Sequence, residues 1–239
     1  MTKRLAVVGM GKMGTAIAEL APHRGWQVAA RLDEADVRRG ISRAALGDAD
    51  VAVEFSVPEA APANIRAIVA AGLPVVVGTT GWYDQYDAIK RDVESQNGGM
   101  FTAANFSIGV NIFEQVAVVA AKLLGRTHAF DAHITETHHA AKKDAPSGTA
   151  KSLEAAVRAA WGRGAAIPVT SVRTGSVPGT HEILFDSPFE QIHLEHVARD
   201  RRVFAEGALV AAAWLIGEPR HGAFTMRDVL MNSLNESTS

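Results

Sequence analysis

The densest chemistry in the chain lies in one stretch, Thr137-His138-His139-Ala140-Ala141-Lys142-Lys143-Asp144-Ala145-Pro146-Ser147-Gly148-Thr149. His138, His139, Lys142 and Lys143 put four potential cations within six residues. Histidine is the natural proton donor near neutral pH, and lysine can orient an anion or support an iminium-like charge. Pro146-Ser147-Gly148-Thr149 reads as the mouth of a helix. Ser147 is its expected cap, and the N–H groups of Gly148 and Thr149 are left to hold an anion. This layout suits a small substrate carrying carboxylates, with an acid beside it for proton delivery. A solvated basic loop is the plain alternative for such a charge run. Zinc held by Glu136, His138 and Asp144 fits in composition only. Adjacent strand histidines point to opposite faces, and neither H-E-x-x-H nor a cysteine partner occurs, so no metal is expected. His193 and His196 are expected to make hydrogen bonds rather than to ligate.

A second constellation lies near the start. Gly9-Met10-Gly11-Lys12-Met13-Gly14 fits G-x-G-x-x-G between a predicted strand and a predicted helix. In that context the first glycine permits the tight turn, the second lets a pyrophosphate approach the backbone, and the third lets helix pack closely on strand. Asp33 follows Gly14 by 19 residues, at the end of the second predicted strand, where an acid can accept hydrogen bonds from an adenosine ribose. These residues predict dinucleotide binding and leave NADH against NADPH open, since Asp33 repels a 2′-phosphate while Lys12 and Arg31 could reach one. Gly78-Thr79-Thr80 ends the fourth predicted strand, on the sheet edge where open α/β sheets bind ligands.

The elements that must position these groups follow from apolar patterning. Leu5–Val8, Trp26–Leu32, Val51–Phe55 and Pro74–Val77 read as strands. Met13–Leu20 has helical spacing, and Ser56-Val57-Pro58-Glu59 resembles a helix start. Alternation of this kind implies right-handed βαβ crossovers and a parallel sheet. The second half differs. A helix near Val110–Leu124 is followed by a strand over Phe130–Thr137 and a helix from about Ser147. Strands then cluster at Val169–Arg173, His181–Asp186 and Gln191–Ala198, which indicates a mixed sheet. Ala208–Ile216 and Thr225–Leu234 return to helix, and Asn235–Ser239 reads as a frayed tail. The fold class is therefore α/β: an N-terminal Rossmann-type parallel sheet plus a C-terminal α+β domain with a mixed open sheet, the boundary lying near Asn105–Gly109.

Composition is consistent with this. The 239 residues are 47 % hydrophobic and 21 % charged, with a formal charge of −2, which gives no electrostatic footprint for nucleic acid or an anionic membrane. The absence of cysteine excludes disulfides, thiolate sites and thiol nucleophiles. The most apolar run, Gly207–Gly217, is shorter than a membrane span, so a cytoplasmic protein is expected.

The string His138-His139-x-x-Lys142-x-Asp144-Ala-Pro-Ser-Gly-Thr149 resembles the dihydrodipicolinate reductase family of bacterial lysine biosynthesis. Gly9–Gly14, Glu54-Phe55-Ser56, Gly78-Thr79-Thr80-Gly81, Ala104–Asn111 and Arg173-Thr174-Gly175 through Gly179-Thr180-His181 extend the resemblance over nearly the whole chain. It implies reduction of the ring formed from pyruvate and aspartate semialdehyde by NADH or NADPH, with hydride going to C4 and a proton added. By position, it implies that His138 is the general acid and that Lys142 assists protonation and substrate binding. His139, Ser147, Gly148 and Thr149 would contact a small dicarboxylate. Gly9, Met10, Gly11, Lys12, Met13, Gly14 and Asp33 would hold the cofactor, with Gly78, Thr79, Thr80 and Ala103, Ala104, Asn105 and Phe106 lining its nicotinamide side. It further implies a homotetramer built through the second domain's sheet. The implied domains are 1–106 with 215–239 for dinucleotide binding, and 107–214 for substrate binding and oligomerisation. Ala140 and Ala141 stand where many members carry basic residues, which shifts anion binding onto Lys142 and Lys143. Two alternatives compete: an aspartate or diaminopimelate dehydrogenase, and a nucleotide-sensing regulator without catalysis. The first gives no reason for the Lys142–Thr149 string, and the second predicts a basic or apolar partner surface, of which the sequence shows no run.

Overall fold

The computed structural model describes residues 2–230. In chain order, the first elements are β1 (Lys3–Val8), α1 (Lys12–Leu20), β2 (Trp26–Leu32), α2 (Glu34–Arg39), β3 (Val51–Glu54) and α3 (Ala61–Ala70). They are followed by β4 (Val75–Val77), α4 (Tyr86–Ser95), β5 (Gly99–Thr102), α5 (Ile108–Gly125), β6 (Asp131–His138) and α6 (Gly148–Trp161). The last are β7 (Val169–Arg173), β8 (Thr180–Asp186), β9 (Gln191–Val197), α7 (Arg202–Gly217) and β10 (Gly222–Phe224). Two compact units result. One comprises the residues up to 107 together with those from 202 onward, and the other comprises 108–201.

The first unit is built on a parallel six-stranded sheet in the order β10-β5-β4-β3-β1-β2. Its strands are continuous apolar runs because both faces are covered: Leu5–Val8, Val51–Val53 and Val75–Val77 are buried throughout. Ile65 and Ile68 of α3 and Ile89 and Val93 of α4 pack on one face, against Ala6, Val8, Ala52, Val75 and Val77. Alternation leaves Val7 and its neighbours for the other face, where α1 packs on α7. Strand order reverses between β1 and β3, so the loops after those strands flank the switch point where such sheets bind ligands.

Several expectations need correction. Residues 202–214, expected in the second domain, form most of α7 and belong to the first unit. The strands β5 and β10 were not anticipated, because four and three residues among glycines carry no readable period. Ser56–Glu59 is a turn rather than a helix start; Val57 O accepts from Ala60 N and Ala61 N, and α3 begins at Ala61. Of the helix expected over Thr225–Leu234, residues 226–230 are helical; the remainder and the Asn235–Ser239 tail lie outside the described residues.

In the second unit the sheet order is β7-β6-β8-β9, with β6 parallel to β7 through the α6 crossover and antiparallel to β8. The β8–β9 pair closes as a hairpin. Phe113, Ala117 and Ala121 of α5 and Leu153, Val157 and Trp161 of α6 cover one sheet face through Ile134, Ile183 and Phe185. At 18 residues, α5 is long and apolar enough to cross a membrane by composition, whereas the sequence reading took Gly207–Gly217, too short to span, as the most apolar run. Here it packs against α6 and supplies that core.

Candidate active site

One candidate site grows from the loop after β1. Gly9 has φ of +92°, and a Cβ there would lie 2.3 Å from Phe55 O. Its N–H donates to Leu32 O at 2.9 Å, which ties the loop to the end of β2. Gly14 sits against β1, where a Cβ would fall 1.9 Å from Gly9 O. Gly11 is different: a Cβ there would meet nothing within 4 Å. The backbone of the helix mouth is therefore accessible at Gly11 and blocked at the other two glycines. An open cleft of about 440 Å³ lies over it, lined by Gly11, Lys12, Met13, Phe55, Ser56, Pro58, Gly78, Thr79 and Thr80. Loop, helix N-terminus and cleft suit a pyrophosphate and the ring beyond it.

The far wall of that cleft is held by a buried carboxyl. Glu54, fully buried at the end of β3, accepts from Ser56 Oγ and from Asn64 Nδ2 at 3.2 Å. Burial pushes its pKa up, against the hydrogen bonds that favour the charged form. Ser56 N donates to Thr79 Oγ1 at 2.8 Å, which locks the turn after β3 to the turn after β4. Gly78 is required here, because a Cβ would overlap the Phe55 ring.

Met10, Gly9 and Gly14 shape the turn without lining the cleft. Ala103, Ala104, Asn105 and Phe106 do not line it either; Phe106 is buried and packs on Phe55 with ring centres 5.6 Å apart, supporting the wall from behind. Asp33 borders a separate hollow of about 490 Å³ with Glu34, Ala35, Arg38 and Arg39. It also caps α2, with Oδ1 accepting from Asp36 N at 2.9 Å while Asp36 Oδ2 accepts from Asp33 N. Arg38 and Arg39 pair with Glu34 and Asp36.

A second candidate site lies in the other unit, at the end of β6. Period-two alternation puts Glu136 and His138 on the same buried face, and His138 Nδ1 hydrogen-bonds Glu136 Oε2. Glu136 Oε1 accepts from Arg173 Nη2 at 2.6 Å and Ser147 N at 3.3 Å. Arg173 also donates to Asp144 O at 2.6 Å, which pins the following loop. Burial would raise the pKa of Glu136, but hydrogen bonds from Arg173, Ser171 and His138 together hold it at about 2. His138 is pushed down by burial and by Lys142 and Arg173, with Glu136 pulling the other way. His181 on β8 meets His138 edge-on, with ring centres 5.2 Å apart, and burial lowers its pKa to about 4.

Gly179, itself buried, packs beside His138 Nε2; a Cβ there would lie 3.1 Å from that nitrogen. Lys142 Nζ is 2.8 Å from Asp144 Oδ1 and holds the Asp144 carboxyl below its usual range. His139, half-buried, contacts Arg201 through Nε2 at 3.0 Å. Gly148, exposed, and Thr149 open helix α6. Ser147 does not face a ligand as expected. It is buried, and its Oγ accepts from Ala150 N at 3.2 Å and contacts His181 Nε2 at 3.3 Å. No group of three His, Cys, Asp or Glu that could hold a metal ion occurs among the described residues. Glu136 was weighed only as a metal ligand, and Arg173 and His181 entered only through the family resemblance, with no site role given to any of the three. The two-residue spacing of Glu136 and His138 on one strand was the available signal.

A dinucleotide-type parallel sheet with a cleft at its switch point, and in the same chain a mixed sheet carrying a histidine–lysine cluster, define the class of two-domain nicotinamide-dependent oxidoreductases. The comparisons name the family. Residues 3–106 match Dihydrodipicolinate reductase, N-terminus, and residues 109–230 match Dihydrodipicolinate reductase, C-terminus, so the chain belongs to the dihydrodipicolinate reductase family. It is 36 % identical to 4-hydroxy-tetrahydrodipicolinate reductase of Christiangramia forsetii, over 95 % of this chain and 97 % of that one. Identity to the enzyme of the same name from Acidiphilium cryptum is 38 %, again over 95 % and 97 %. Among solved structures, dipicolinate-bound dihydrodipicolinate reductase from Paenisporosarcina superposes with a TM-score of 0.75 at 23 % identity, over 94 % of this chain and 98 % of that one. A probable dehydrogenase from Thermotoga maritima shares the fold at a TM-score of 0.62 and 12 % identity, over 94 % and 92 %.

Proposed function

We propose that the chain reduces 4-hydroxy-tetrahydrodipicolinate, or its dehydrated ring, to tetrahydrodipicolinate. The net change is gain of one hydride at C4 and one proton, with loss of water when the hydroxylated ring is bound. A bound reduced nicotinamide supplies the hydride. Gly11 and the mouth of α1 would hold its pyrophosphate, and Phe55, Gly78, Thr79 and Thr80 would border its ring.

The protein's own residues handle charge and proton. Lys142 and the first-turn amide of Gly148 would bind the carboxylates, helped by the positive end of the helix. His138 delivers the proton from Nε2. The single observation that carries this reading is His138, anchored through Nδ1 to Glu136 at the end of β6, where the loop bearing Lys142 begins its run to the α6 mouth. That the Paenisporosarcina relative binds dipicolinate, a planar dicarboxylate, supports the substrate class.

We read the cofactor as NADH. Asp33, Glu34 and Asp36 outnumber Arg38 and Arg39, and both arginines are already paired, so the ribose end disfavours a 2′-phosphate. We also read the second unit as the assembly surface of a homotetramer, an idea supported by Val172 and Val197, which stay exposed on its sheet. Calorimetric titration of dipicolinate in the presence of NADH tests the site. Lys142→Met is expected to weaken dipicolinate ~10-fold or more while leaving NADH affinity unchanged. Equal dipicolinate affinity in that variant would remove Lys142 from the anion site.

A further inference from the structure

Glu136 is fully buried, and nothing in the reduction itself calls for a carboxylate there. Its two oxygens nonetheless gather three groups from separate parts of the second unit: His138 on its own strand, Arg173 on β7 and the Ser147 amide ahead of α6. An ionised carboxylate only accepts hydrogen bonds, so the proton between Glu136 and His138 sits on Nδ1. That leaves Nε2, which packs beside Gly179, as the ring nitrogen able to exchange a proton, through the 11 % of the His138 side chain that stays exposed.

We propose that Glu136 is the positioning residue of the proton donor: it fixes the ring and tautomer of His138, stabilises the imidazolium, and aims Nε2–H at the substrate. Arg173 keeps Glu136 charged and at the same time holds the Asp144 carbonyl, so the His138 anchor and the loop bearing Lys142 share one clamp. The proposal rests on the assignment of His138 as the acid.

The charged and titratable groups around His138 are Glu136, Lys142, Arg173 and His181, with Asp144 paired to Lys142. Of these, Glu136 favours the imidazolium, whereas Lys142 and Arg173 oppose it. The competent acid is the protonated ring, so turnover falls as pH rises through the His138 pKa. Removing the Glu136 charge lowers that pKa and moves the fall to lower pH.

The test compares full-length wild type, Glu136→Gln and Glu136→Asp in NADH-dependent turnover from about pH 5.5 to 9. The 15N imidazole resonances of His138 are followed over the same range. Glu136→Gln is expected to lose ~10²-fold in kcat at alkaline pH and ~10-fold or less near the acid end, with KM for NADH unchanged. Glu136→Asp keeps the charge and is expected to recover most of the rate and the wild-type pH limb. In the spectra, neutral His138 carries its proton on Nδ1 in wild type and titrates at lower pH in Glu136→Gln. An equal loss at every pH, or a Glu136→Asp as poor as Glu136→Gln, overturns the proposal. So does an Nε2–H tautomer for neutral His138 in wild type, a result that does not require either variant to fold. Should wild type fail to turn over, the proposed reaction falls, and the spectra alone decide the role of Glu136.

Discussion

The glycine loop gives a prediction in which two substitutions three residues apart have opposite signatures. In Gly14→Ala the new methyl would sit 1.9 Å from Gly9 O and 3.2 Å from Val7 Cγ1, about 1.5 Å inside the 3.4 Å at which ordinary contact begins. The obstructing atom is backbone, so relief requires α1 to move off β1. Overpacking of this kind costs about 3 kcal/mol, and the better helix propensity of alanine returns about 1, leaving a loss of roughly 2 kcal/mol. For a chain of this size that lowers Tm by about 4–8 °C. In Gly11→Ala the methyl meets nothing within 4 Å. The poorer N-cap costs about 0.5–1 kcal/mol, and reduced freedom of the unfolded chain offsets about as much, so Tm should stay within about 2 °C. Gly11 lines the cleft, however, and NADH affinity should drop ~10-fold or more as the methyl blocks approach to the backbone. Thermal melts by circular dichroism and NADH titration by fluorescence read the two effects separately. Equal melting points for the two variants would refute the packing argument, and wild-type NADH affinity in Gly11→Ala would refute the pyrophosphate position.

Three further outcomes are expected. His138→Gln should lower kcat ~10²–10⁴-fold with NADH affinity kept; a parallel loss of NADH binding in steady-state and titration data would make His138 structural instead. Asp33→Ala removes the α2 cap and one ribose acceptor, so it should cost about 1 kcal/mol in melts and narrow the preference for NADH over NADPH. An unchanged cofactor ratio would contradict the ribose role. His181 is held at about 4, below its usual 6.5, so the unfolded chain binds more protons between those values. Its contribution is therefore present above pH 6.5 and is lost as pH falls toward 4. His181→Asn should flatten the decline of Tm over that window, and a wild-type slope in the variant would place the acid sensitivity elsewhere.

Much of this molecule was legible before its coordinates. Long apolar runs such as Trp26–Leu32 and strict alternation over residues 130–137 declare strands, and Ser147 before Gly148 declares a helix start that Ala150 N confirms. The features that were missed have local causes. β5 and β10 are too short to carry a period, and exist because neighbouring strands offer backbone partners. The transfer of residues 202–214 to the first unit depends on α7 packing on α1, a long-range contact that no local pattern encodes. Ser147 was rightly read as a cap, but that hydrogen bond, with His181 beyond it, consumes the hydroxyl expected to meet substrate. Arg173 and His181 join Glu136 and His138 only through the β6–β7 and β6–β8 registers.

The central claim is reduction of the dihydrodipicolinate ring. It is tested most directly by generating that labile substrate in situ from pyruvate and aspartate semialdehyde with dihydrodipicolinate synthase. Loss of absorbance near ~340 nm is then followed with NADH and with NADPH in separate reactions. Rapid oxidation that requires every component, faster with NADH, is the predicted result. Absence of oxidation by a preparation that binds NADH would contradict the account.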